Sequence, residues 1–260
     1  MNIIHTLVGE QFFQIANHSS TLSKMLDRMF YAISPMDNQP DLYININDGY
    51  GTVFLDYEVV AAKENSVISF KRADYLIEVD EEFSQANIFV HNELALKHAL
   101  MNLYSSFLVH KKWGLLIHSS CVIDNGAAHI FAGPSGSGKS TAAILSHPRE
   151  ILSDEAAILK ISENGVQVYN SPFRSEIDSR DVLATCQLRS IQMLIQAEVN
   201  ERKQLSKSDA LLSLIDKVFY WPYSSQETET ILKLLEKVVR KVPVYQLYFQ
   251  KNDTFWELIS

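Results

Sequence analysis

The residues Gly133-Pro134-Ser135-Gly136-Ser137-Gly138-Lys139-Ser140 hold glycines, a lysine and a hydroxyl at the spacing G-x-x-x-x-G-K-S. They lie between an apolar run that ends at Ala132 and a helix-forming run that begins at Lys139, which is the context in which such a loop cradles the phosphates of a nucleoside triphosphate. Gly136 and Gly138 let the backbone turn sharply and bring its N–H groups against phosphate oxygens where a Cβ would intrude. Lys139 supplies a positive charge for the β and γ phosphates, and the Ser140 hydroxyl is a hard oxygen ligand suited to Mg²⁺. The helix start adds N–H donors and a positive dipole end. The expected nucleotide-binding set is therefore Gly133, Ser135, Gly136, Ser137, Gly138, Lys139 and Ser140, with Thr141 supporting the turn.

Such a loop names a ligand and not a reaction, so the residues around it must decide. Asp154 stands at the end of the apolar run Ile151-Leu152-Ser153, only 14 residues after Ser140. The intervening helix must be short, and the carboxylate is expected to emerge beside the loop. Asp154 and Glu155 could then serve as a base toward a hydroxyl proton and as a magnesium ligand. His118 follows Leu115-Leu116-Ile117 and is expected at the same end of the sheet, where it could share a proton with Asp154. Spacing alone leaves open the plainer reading of solvated turn carboxylates and a structural histidine.

These residues need a scaffold, and periodicity outlines one. Leu22, Met25, Leu26, Met29, Phe30 and Ile33 recur at helical spacing within Asn17 to Ile33, with Ser19 or Ser20 as N-cap. Short apolar runs between Asp41 and Val90, such as Leu42–Ile46, Val53–Leu55, Val67–Phe70, Tyr75–Ile77 and Ile88–Val90, predict a small antiparallel sheet. Leu94 to Leu108 is apolar nearly all round, as a buried helix is. Leu115–Ile117 and Cys121–Ile123 read as separate strands, and the latter forms a hairpin with Ala128–Ala132 through Asp124-Asn125-Gly126. A helix from Lys139 stops before Pro148, Glu150–Ser153 is the next strand, and Asp209–Phe219, Ser225–Lys241 and Val244–Phe249 complete the chain as two helices and a strand. Tyr220-Trp221-Pro222-Tyr223 reads as core aromatics beside a proline turn. The outline is a smaller α+β N-terminal domain over residues 1–92, suited to substrate recognition, and an α/β catalytic domain over 93–260.

Composition narrows the classes. A net charge of −8 with pI near 5.5 gives no general attraction to nucleic acid or to an anionic membrane. Cys121 and Cys186 have no paired spacing, which indicates neither a disulfide framework nor a cysteine zinc site and fits a reducing cytoplasm best. No run approaches the roughly 18 apolar residues of a membrane helix. A homo-oligomer is neither required nor excluded.

The run Leu116-Ile117-His118-Ser119-Ser120, the hairpin, the loop through Thr141, and Leu152-Ser153-Asp154-Glu155 together resemble the catalytic core of the HPr serine kinase family, whose fold is shared with ATP-dependent phosphoenolpyruvate carboxykinase. The resemblance spans roughly Gly114 to Glu176 and implies a P-loop kinase core, ATP and Mg²⁺ as cofactors, and His118 and Asp154 acting together, with Lys139, on an acceptor hydroxyl. Asn170-Ser171-Pro172-Phe173-Arg174-Ser175-Glu176 is similar to the T-P-F-R-G-E segment of HPr-kinase-related proteins in peptide-tailoring clusters. That likeness implies Glu176 as a magnesium ligand beside Ser140 and Glu155, and Arg174 as a phosphate contact. The glycine-rich signature that follows this glutamate in HPr kinase/phosphorylases is absent from Glu176-Ile177-Asp178-Ser179-Arg180-Asp181. The expected activity is phosphorylation of a serine hydroxyl on a peptide or protein, with the C-terminal serine of a lasso-type precursor as the nearest match. A nucleotide-binding regulatory protein without transfer activity and a small-molecule hydroxyl kinase are the alternatives.

Overall fold

The computed structural model describes residues 2–175 and 185–259. The chain is mixed α/β with two sheets and divides into two compact units. The first unit holds the residues up to His110 together with Tyr220–Thr228; the second holds Lys111–Phe219 and Glu229 onward. The division falls after the helix that the sequence outline placed at the start of the second domain.

In the first unit the strands are β1 (Asn2–Val8), β2 (Gln11–Asn17), β3 (Leu42–Asn47), β4 (Val60–Glu64), β5 (Val67–Lys71), β6 (Tyr75–Asp80) and β7 (Gln85–Val90), with helices α1 (Ser23–Met29) and α2 (Glu93–His110). The sheet runs β1-β2-β3-β7-β6-β5-β4. It is not the antiparallel sheet expected, because β2 pairs with β3, and β3 with β7, in parallel. Strands β1 and β2 were not foreseen, and Val53–Leu55 is not a strand. The helix expected over Asn17–Ile33 is shorter: Asn17 ends β2, and α1 begins after Leu22 with no capping side chain. Leu42, Ile44 and Ile46 alternate inward along β3, and α2 is buried nearly throughout, with Phe107 edge-on to Phe13 at 5.4 Å. Arg72 and Asp74 form a two-point ion pair at 2.6 and 2.9 Å with side chains 2% and 0% exposed, and Arg72 also meets His98 Nδ1 at 2.8 Å. Tyr223 lies edge-on to Phe70 at 6.1 Å, so part of the aromatic run near residue 221 packs in this unit.

The second unit contains β8 (Gly114–Asp124), β9 (Ala127–Ala132), α3 (Lys139–Leu145), β10 (Glu150–Ser153), β11 (Ala156–Ser162), β12 (Gly165–Tyr169), β13 (Thr185–Gln196), β14 (Glu201–Gln204), α4 (Lys207–Ile215), most of α5 (Ser225–Lys241), β15 (Val244–Phe249) and a 3-10 turn over Asp253–Leu258. Asn125 and Gly126, at φ 50° and 75°, make the tight turn between β8 and β9 that the sequence announces. β8 is one strand of 11 residues where two runs were read, and His118 sits in its middle. α4 starts two residues before the expected Asp209, since Ser206 caps it by accepting the Asp209 N–H. α3 buries Ala142 and Ala143 in the cluster that holds Val122, Phe131, Leu247 and Phe249, with Leu145 packed against its edge. Alanines there let the helix approach closely, which brings Lys139 down onto the sheet.

Candidate active site in the second unit

The site is built by the way β8 changes partners. Along one edge, β10 and β11 pair with it in succession: Glu150 faces Ile123, Ser153 faces Cys121, Ala156 faces His118 and Lys160 faces Gly114. These form an almost continuous antiparallel ladder whose interruption is Asp154-Glu155, where Ser119 N–H still reaches the Glu155 carbonyl at 3.0 Å. Along the other edge β9 pairs from Asp124 to Ser119, the last partner being Ala132. There the chain leaves as the glycine loop, and residues 217–219 take its place. Val218 bridges Ile117, His118 N–H donates to the Lys217 carbonyl at 2.7 Å, and Phe219 N–H to the Leu116 carbonyl at 3.0 Å. The register thus brings the loop's start, the Asp154-Glu155 corner and Lys217 to the two residues His118 and Ser119.

The loop has the backbone form its sequence predicts. Gly136 is at φ +78°, and Gly138, the residue before α3, is at φ +100°, both left-handed. A Cβ on Gly138 would lie 2.6 Å from the Phe249 ring, so that position is closed twice, by torsion and by space. Lys139 is only 8% exposed and its ammonium donates to the Gly133 and Pro134 carbonyls, each at 3.1 Å. Gln196 donates to the Gly136 carbonyl at 2.7 Å, and Ser120 Oγ to the Lys139 carbonyl at 2.9 Å. Pro134, Ser135 and Gly136 are exposed, Ser140 and Thr141 half-buried. The Ser137 Oγ is buried with no hydrogen-bond partner among the described residues, an arrangement that suits an incoming acceptor group.

Asp154 is buried, and its carboxylate is held by Ser175: the Ser175 N–H lies 3.1 and 3.2 Å from the two oxygens and its hydroxyl 3.1 Å from Oδ2. Arg174 secures that segment. It donates to the Ser171 carbonyl at 3.1 Å, the Leu152 carbonyl at 3.0 Å and Asn170 Oδ1. The guanidinium foreseen as a phosphate contact thus clamps the chain that positions Asp154. Glu176, the expected metal ligand, lies outside the described residues.

The ring of His118 leans on Phe219 at 5.3 Å, and residues 118 and 120 share the face of β8 on which α3 lies, since Ser120 reaches the first residue of that helix. Burial first, then the ammonium groups of Lys139 and Lys217, push the His118 pKa down to about 4, so the ring is neutral near pH 7. Lys139 is itself lowered, first by burial and then by Lys217, while Glu155 acts in the opposite direction. His118, Lys139, Lys217 and Glu155 therefore share one electrostatic neighbourhood. Lys217, 8% exposed, has no sequence signal, being a lone lysine after a helix. Only the long-range pairing with β8 reveals it.

Hard oxygen donors suited to Mg²⁺ are available in the Ser140 hydroxyl and the Glu155 carboxylate. Among the described residues no group of three or more His, Cys, Asp or Glu could hold a metal ion by itself, so a metal here would draw further oxygens from phosphate or water.

Among solved structures, the HPr(Ser) kinase/phosphatase from Coxiella burnetii is similar over 55% of this chain and 92% of its own, at 9% sequence identity and a TM-score of 0.32. A likeness of that degree adds nothing to the reading of the site. No curated protein matches the chain. The sequence model of the family described as SynChlorMet cassette protein ScmC matches residues 77–260, which contain every residue of the site above. The chain belongs to the SynChlorMet cassette protein ScmC family.

Proposed function

We propose that the second unit is a P-loop kinase core that uses ATP and Mg²⁺ to phosphorylate a hydroxyl group. The observation that carries this reading is the convergence on His118-Ser119 of a glycine loop with its lysine, a buried carboxylate and a neutral histidine, from three stretches of chain. A nucleotide-binding switch needs the loop and has no use for a base beside it; phosphoryl transfer to an alcohol needs both.

The loop N–H groups and Lys139 hold the triphosphate, while Ser140 and Glu155, with Glu176, provide oxygen ligands for magnesium. The bound metal nucleotide supplies the transferable phosphoryl group and the neutralisation of its charge. Asp154, fixed in orientation by Ser175, would accept the proton of the acceptor hydroxyl as that oxygen bonds to the terminal phosphorus and the bond from that phosphorus to the bridging oxygen breaks, with the nucleoside diphosphate as leaving group. His118 stays neutral beside it and neither competes for that proton nor adds a cation to the pair of lysines.

The acceptor we propose is a serine hydroxyl of a peptide, the C-terminal serine of a lasso-type precursor first, with the N-terminal unit contributing to its recognition. The resemblance of the Ser171–Ser175 segment to the peptide-tailoring kinases supports this choice, and that segment is the one seated on Asp154. The compartment we propose is the cytoplasm, a choice that two cysteines without paired spacing support. Among the described residues no helix is long and apolar enough to cross a membrane.

The test is incubation with γ-labelled ATP, Mg²⁺ and a panel of Ser-ending peptides and small hydroxyl compounds. Label on a peptide serine, abolished by Asp154→Asn, is the expected outcome. Label on a small compound alone would move the acceptor class, and nucleotide binding without any transfer would leave a regulatory protein.

A further inference from the structure

Lys217 deserves a role that its local sequence does not suggest. It follows α4, whose own buried contacts are Ala210 and Leu214, and nothing in that packing calls for a cation. Its main chain is locked to the centre of β8 by the His118 N–H bond at 2.7 Å and by the Ile117–Val218 bridge, so it cannot drift from the site. Its ammonium pairs at 2.5 Å with Asp216, a side chain 65% exposed, whereas Lys217 itself is 9% exposed. The partner therefore stands toward water and the cation toward the interior. Lys139 is just as buried, and the Lys217 charge acts on it. Two buried cations in one neighbourhood repel, and an anion bound within reach of both offsets that repulsion.

We infer that Lys217 is a second phosphate-binding cation of the site, contacting the terminal phosphoryl group of the bound triphosphate. This rests on the kinase reading above. The assignment to the terminal group follows from position. Lys139 opens the helix after the loop and faces the phosphates the loop cradles, while Lys217 is paired directly to His118, at the end of the site where Asp154 and the acceptor lie. A charge there grows in value as negative charge spreads over the oxygens of the transferred group.

Calorimetric titration of Mg-ATP and Mg-ADP into the wild-type chain, Lys217→Gln and Lys217→Arg separates the possibilities. A contact to the terminal phosphoryl group predicts that Lys217→Gln weakens ATP by about tenfold or more and ADP by less than about threefold. Lys217→Arg keeps both within about threefold of wild type, because the charge is retained. Equal weakening of ATP and ADP, or no weakening of either, overturns the inference and leaves the kinase reading intact. A wild-type chain that binds neither nucleotide overturns both. Should Lys217→Gln not fold, Lys217→Met retains the apolar stem and is held to the same ATP-to-ADP criterion.

Discussion

In the seven-stranded sheet of the first unit every interior strand keeps the same neighbours along its paired length, whereas in the second unit β8 and β13 exchange theirs part-way. The consequence is chemical. In the first sheet the buried charges close on themselves, as Arg72 does with Asp74 and His98. In the second, the exchange of partners at His118-Ser119 opens a gap in the ladder through which the glycine loop leaves, and charged side chains from separate segments arrive there. A sheet that keeps its ladder spends its polar residues on stability; one that breaks it gains a place for a reaction.

Substitutions in the two units test that contrast. Lys139→Met removes the loop's cation and should weaken ATP by about 100-fold or more by calorimetry while leaving the melting temperature nearly unchanged, since its hydrogen bonds go to loop carbonyls. Asp154→Asn should lower the rate of phosphoryl transfer by about 100- to 10,000-fold with ATP affinity preserved. Arg72→Met is the opposite kind of change: it leaves Asp74 as an uncompensated buried charge and should cost about 3–5 kcal/mol in urea unfolding of the first unit, with ATP affinity unaltered. Gly138→Ala forces an L-residue to φ +100° and its Cβ onto Phe249, a loss of about 1–3 kcal/mol, and Phe249→Ala in the same chain should restore only part of it because the torsion remains.

Acid should act on both units alike. His98, His118 and His129 are each pushed down to about 4, in every case first by burial. An unfolded chain binds these protons near pH 6.5 and the folded one only near 4, so stability is whole above about pH 6.5 and falls as pH drops through that window. Urea midpoints at pH 7, 6 and 5 should decline in order, and His118→Gln should flatten the decline.

The same contrast explains what could be read from the chain directly. The loop, α3 and the β8–β9 turn are determined by residues in contact along the sequence, and Gly136, Gly138 and Asn125-Gly126 announce their torsions by type. Asp154 was legible for the same reason, being one short helix and one short strand away. His118 was found but misplaced, since Ser119 and Ser120 look like a strand's end. They are polar and buried because the strand changes neighbours there, with Ser120 bonded to Lys139 and Ser119 to Glu155. The parallel pairs of the first sheet, and Lys217 against His118, depend on segments far apart in the chain, and no local pattern encodes them. The contacts of Arg174 with the Ser171 and Leu152 carbonyls have no signature in its type or spacing.

Calorimetric titration of Mg-ATP into the wild-type chain and into Lys139→Met tests whether the segments meeting at His118-Ser119 form one nucleotide site. One ATP per chain is expected for the wild type, with binding lost in the variant while it remains folded. Absence of binding to the wild-type chain, or equal binding to the folded variant, would contradict it.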